Sequence, residues 1–87
     1  MTSKMKSILA DALINVVVLN QTIIDRVMSV GEELSAAIDA ARKEKEEALS
    51  ALHELTGHEY NVIYIGDHDY EVYYRSTERT TVRRFTA

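Results

Sequence analysis

The sequence predicts an α+β chain: a long amphipathic, coiled-coil-like helical segment followed by an antiparallel β-hairpin or three-strand meander. Three observations lead there. Apolar residues recur with a 3.5-residue period from Leu9 to Leu55, composition switches at Gly57 to Tyr, Val, Ile and Thr, and punctuation is sparse, with no proline and glycine only at Gly31, Gly57 and Gly66. Residues 1–87 read as a single domain, with 1–56 a helical oligomerisation region and 58–87 a β-hairpin region.

Steps of four and three from Leu9 visit Leu13, Val16, Asn20, Ile23, Val27, Val30, Leu34, Ala37, Ala41, Glu44, Ala48, Ala51 and Leu55. Only Asn20 and Glu44 break this seam, and a seam kept over several heptads faces one partner. The residues Leu9, Leu13, Val16, Asn20, Ile23, Val27, Val30 and Leu34 are therefore the expected oligomerisation surface, with Asn20 a candidate register-setting amide. Between Ile8 and Val30 the apolar residues Ile8, Ile14, Val17, Val18, Leu19, Ile24 and Met28 widen the stripe, as in a helix contacted on several sides. From Glu32 to Glu54 the stripe turns alanine-rich, and the run Arg42 to Glu47 makes a solvated charged face.

In "SVGEEL", Ser29 and Glu32 fit a capping box and Gly31 loosens the helix, so a helical hairpin could turn there. The heptad phase nevertheless runs through Gly31 without a slip, and a single glycine costs only about 1 kcal/mol in a helix. The phase favours one long helix, which at 1.5 Å per residue would extend ~75 Å and demand a second chain. Thr56-Gly57 reads as the helix C-terminus.

Beyond Gly57, "EYNVIYI" and "YEVYYRS" read as strands joined at Gly66 to Asp69, and "TTVRRF" as a third strand after a turn near Thr77 to Arg79. A two-residue Asp67-His68 turn sets Gly66 opposite Asp69, Ile65 opposite Tyr70, Ile63 opposite Val72, Val62 opposite Tyr73 and Tyr60 opposite Arg75. A two-stranded hairpin is marginal in water, so helix or subunit packing on it is expected.

Composition narrows the function. With 87 residues, 46% apolar and 28% charged, the chain has room for one modest core, and with no cysteine neither disulfides nor thiolate chemistry can support it. The net charge of −4 opposes general nucleic-acid binding, although residues 75–87 carry +3. The start faintly imitates a signal peptide, but Asp11 and Asn15 interrupt its apolar run, and no run approaches ~18 uninterrupted apolar residues. A cytoplasmic protein with no membrane association is the expectation.

No metal-site or catalytic motif fits this sequence. "HELTGH" places His53 and His58 at i and i+5 rather than the i and i+4 of a helical zinc site, with Gly57 between them. Asp67, His68 and Asp69 suit turn chemistry better than an ion, because successive turn residues point apart. No nucleophile elbow or phosphate-cradling loop is present, so neither enzyme activity, cofactor nor metal is expected.

The five tyrosines all fall in the hairpin region, and Tyr and Arg are enriched at interface hot spots. Tyr64, Tyr70, Tyr73, Tyr74, Arg75, Arg83 and Arg84 are accordingly the candidate partner-binding residues. The functional expectation is a non-catalytic interaction module that is a dimer or higher homo-oligomer through its helical seam. Such an adaptor or inhibitor, in the style of a small phage or mobile-element accessory protein, would present a Tyr/Arg hairpin to another protein. A nucleic-acid-binding regulator using the C-terminal arginines and a structural assembly or scaffold component are the alternatives.

Overall fold

The computed structural model describes residues 2–28, 35–67, 69–75 and 80–86, with side chains for all of these but Ser35, Arg75 and 80–86. Helix α1 is Ser3–Met28, α2 is Ser35–Thr56, and strands β1 Tyr60–Gly66, β2 Asp69–Arg75 and β3 Thr80–Thr86 follow. This is the expected α+β order, with the three-strand form of the meander in the sequence β1-β2-β3.

Each described helix end has a chemical cause. Thr2 caps α1: its carbonyl accepts the first helical bond from the Lys6 N–H at 3.0 Å, and its Oγ1 accepts from the Met5 N–H at 3.1 Å. At the end of α2 the Gly57 N–H donates to the His53 carbonyl at 2.8 Å, with Gly57 at φ 79°, the left-handed residue that closes a helix with one backward bond. The Thr56 hydroxyl donates to Leu52 O and accepts from the His58 N–H, so the chain leaves the helix with its backbone polar groups occupied.

The single long helix favoured by the heptad phase is not what forms. The two helices pack side by side, and the longest dimension of the molecule is 43 Å, too short for a ~75 Å rod. Phase continuity misled because the seam runs along one edge of the face that α1 buries, not along its centre. That face is Ala10, Ile14, Val17 and Ile24, with Val18 beside it, one residue and hence about 100° around the helix from the Leu9–Val16–Ile23 line. Of the residues that had looked like extra width, Ile14, Val17, Val18 and Ile24 are buried, while Ile8, Leu19 and Met28 are exposed. Gly31 lies outside the described residues.

Ile14, Val17 and Val18 of α1, Ala48 and Leu52 of α2, and Val62, Tyr70 and Val72 of the sheet form one cluster. Two buried alanines of α2, Ala41 and Ala48, let the helices approach closely. The Arg42 to Glu47 run stays largely on the outside.

The hairpin register needs correction. Gly66 does pair with Asp69, but then Tyr64 faces Tyr70, Val62 faces Val72, Asn61 faces Tyr73 and Tyr60 faces Tyr74, one residue away from the expected partners. An irregularity between Tyr64 and Gly66 gives β1 an extra residue, Ile65, beside a glycine at φ 106°. Such a bulge is invisible to simple alternation, and a one-residue slip changes every partner. Val62, Tyr70 and Val72 thereby reach the helices together.

Candidate interaction surfaces

A chain of polar groups links all three layers of the fold. Lys45 Nζ on α2 donates to Gln21 Oε1 at 2.7 Å, Gln21 Nε2 donates to Asp25 Oδ1 at 3.0 Å, and Tyr70 Oη on β2 donates to Asp25 Oδ2 at 2.6 Å. The last is a short, charge-assisted bond. Burial of the phenol, followed by its bond to and the charge of Asp25, pushes the Tyr70 pKa up to about 12. Tyr70 is only 3% exposed, so of the expected partner-binding tyrosines this one is spent on the core.

The other hairpin tyrosines divide. Tyr74 is half-buried and stacks its ring on His58, centroids 4.0 Å apart and planes at 13°, with Tyr60 tilted against it at 5.0 Å. Tyr64 meets the edge of Tyr70 at 5.5 Å but keeps 56% of its surface exposed. Tyr73 is half-buried, its hydroxyl accepting from Asn61 Nδ2 at 3.5 Å. The structure does not gather them into one tyrosine face, because alternation puts Tyr70 and Tyr74 on the opposite side of β2 from Tyr73. In β3 the backbone of Arg84 pairs with Glu71 and that of Arg83 with Val72; the side chains of Arg75, Arg83 and Arg84 lie outside the described residues.

The two histidines that sequence spacing had discounted as a metal pair serve other ends. His58 stacks on Tyr74, and both His53 and His58 border an open recess shared with Gly57, Tyr60, Asn61 and Tyr73. Among the described residues no cluster of three metal-ligating side chains occurs. His68 lies outside them, so the Asp67-His68-Asp69 reading has no structural counterpart here.

The expected oligomerisation seam is also redistributed. Asn20 is buried inside the protomer, with Nδ2 donating to the Val16 carbonyl of its own helix at 2.9 Å. Leu13 and Val16 pack against the core cluster, Val27 is half-buried, and Val30 and Leu34 lie outside the described residues. Leu9 and Ile23 do reach the surface, and they border a stripe the seam had not contained. Ile8 and Leu19 are each 60% exposed and Met5 is 58% exposed; with Ala12 and Ile23 they follow helical spacing along the side of α1 away from α2. Periodicity alone could not have found it, since on a helix apolar nearly all round it is the choice of buried face that defines the free one.

Comparison with protein-family models, with characterised proteins and with solved structures gives no match, so function is argued from these surfaces alone.

Proposed function

We propose that this chain is a non-catalytic interaction module that associates with itself through α1 and presents its sheet to a protein partner. The observation that carries this reading is the apolar stripe of Met5, Ile8, Leu9, Leu19 and Ile23, left uncovered after the same helix has supplied the core. Contiguous apolar patches of a few hundred Å² mark interaction sites on small proteins. Fully burying one such side chain is worth about 1.5–3 kcal/mol, so covering the exposed parts of these five on two copies supplies roughly 8–15 kcal/mol. Association costs about 4–15 kcal/mol, which makes a concentration-dependent oligomer the reasonable outcome.

The sheet supports the second half of the reading. One of its faces packs on the helices, while Asn61 and Ile63 stand exposed on the other beside the phenol of Tyr73. These apolar, amide and phenol groups suit protein contact.

α1 is also long and apolar enough to cross a membrane, with a mean hydropathy of 1.7 over its best window. A spanning α1 would have to separate Val17, Val18 and Ile24 from α2 and the sheet, and would carry Asp11 and Asp25 into the bilayer, where a charge costs about 2.5–3.5 kcal/mol at the centre. The packed hairpin therefore favours the interaction reading.

Light scattering over a range of protein concentrations tests it. The wild type should move from monomer to oligomer as concentration rises, and Leu19→Asp, at an exposed site, should remain monomeric with an unchanged circular dichroism spectrum. A wild type that stays monomeric at millimolar concentration overturns the self-association.

A further inference from the structure

The spacing of the exposed stripe on α1 specifies how two copies would meet, an inference that rests on the self-association just proposed. Among the exposed positions of α1, Met5, Ile8, Ala12, Asn15, Leu19, Ile23 and Arg26 form one line along the helix, with Leu9 at its edge. Turned end for end about a point between Asn15 and Val16, six of these seven positions fall on one another: Ile8 comes opposite Ile23, Ala12 opposite Leu19, and Met5 opposite Arg26, while Asn15 meets Val16 at the centre. The small side chain of Ala12 then receives the large one of Leu19, twice, as close packing requires. A parallel pair instead sets Ala12 against Ala12 and Leu19 against Leu19, leaving a gap at one level and crowding at another. Antiparallel helices also align their dipoles favourably, whereas parallel ones oppose them.

We infer that two copies form an antiparallel, two-fold pair through α1, with the partner's Leu19 seated over Ala12. The stripe from Met5 to Arg26 is about 31 Å long and roughly 10 Å wide, an apolar strip of about 300 Å² per copy. Two such strips cover about 600 Å² of apolar surface, with Lys4 and Arg26 at the ends, the size of a weak, concentration-dependent contact. A second copy fits this strip because the strip is its own complement; no other occupant would need that symmetry.

The arrangement fixes where the sheets go. On α1, Gln21 turns toward α2 through its bond from Lys45, and Asp25 turns toward β2 through its bond from Tyr70. At 100° per residue the Gln21 direction is nearly opposite the stripe centred on Leu19, and the Asp25 direction lies to one flank. A two-fold axis perpendicular to the helix pair keeps each flank on its own side. Both sheets therefore lie on one side of a four-helix layer, giving bivalent presentation to a partner with two copies of its epitope.

The chain has no cysteine, so engineered cysteines report cleanly. Ala12→Cys and Leu19→Cys are made singly and oxidised under mild conditions, apart and mixed, with melting curves recorded for each. Strong disulfide formation between the two variants in the mixture, and little in either alone, supports the antiparallel pair. Efficient self-linking of each variant alone means a parallel pair, overturning the inference while leaving self-association standing. A nitroxide on Met5→Cys gives an independent reading, with the two labels about 30 Å apart in the antiparallel pair and under about 15 Å in a parallel one. A chain that stays monomeric by light scattering overturns both readings, and co-sedimentation of that monomer with phosphatidylcholine vesicles would assign the stripe to a lipid surface instead.

Discussion

Tyr70 ties the sheet to the helices through a group whose ionisation can be watched, and replacing it by phenylalanine tests how much of the fold depends on that tie. The phenol pKa stands at about 12 against an ordinary 10.0, raised first by burial and then by the hydrogen bond and charge of Asp25. One pKa unit is about 1.4 kcal/mol, so a rise of this size corresponds to a preference on the order of 3 kcal/mol for the protonated phenol in the folded state. Because the folded value is raised, this stability is fully present below about pH 10 and is lost as pH climbs through 12. By proton linkage, the wild type should lose on the order of 1 kcal/mol from this residue between about pH 9 and 11. In neutral solution Tyr70→Phe removes a 2.6 Å bond to a carboxylate and should cost about 1.5–3 kcal/mol.

The assay is urea unfolding of wild type and Tyr70→Phe at a series of pH values. The gap between the two should shrink by on the order of 1 kcal/mol from about pH 9 to 11. The near-ultraviolet absorbance of ionised tyrosine gives a second reading: subtracting the Tyr70→Phe titration from that of wild type isolates one of five phenols. Asp25→Asn removes the carboxylate and keeps the burial, so it should bring the Tyr70 midpoint part of the way back toward 10. Parallel stability profiles, or a difference titration centred near 10, would refute the argument that a buried phenol–carboxylate bond locks sheet to helix.

Two further substitutions separate local causes. Gly66→Ala should cost about 1 kcal/mol in thermal or chemical unfolding, because φ 106° strains any residue with a side chain although a new Cβ would meet nothing within 4 Å; an unchanged midpoint would mean the bulge relaxes freely. Asn20→Ala should leave the light-scattering mass unchanged and lower stability by about 1 kcal/mol, since its amide bonds to its own helix; loss of the oligomer would return Asn20 to the interface.

How much of this was legible in the sequence depends on which physical signal each feature carries. Gly57 announced the end of α2 because only a residue tolerant of positive φ closes a helix that way, and Gly66 opposite Asp69 followed from the turn residues. The partition of α1 was not legible. Ile8, Ile14, Leu19 and Ile24 are chemically alike, and nothing local says that Ile14 and Ile24 will be buried while Ile8 and Leu19 are not. That choice belongs to tertiary packing: α2 contributes small alanines that fit against one side of α1, and the sheet adds Tyr70, whose hydroxyl needs the carboxylate of Asp25. Bound to the buried Tyr70 phenol, Asp25 lies on the same side of α1 as Ile14 and Val18, which fits that side facing inward and the Ile8–Leu19 line outward. A polar pair spaced 45 residues apart leaves no periodic trace, yet it favours one apolar face of α1 as the core over the one left exposed.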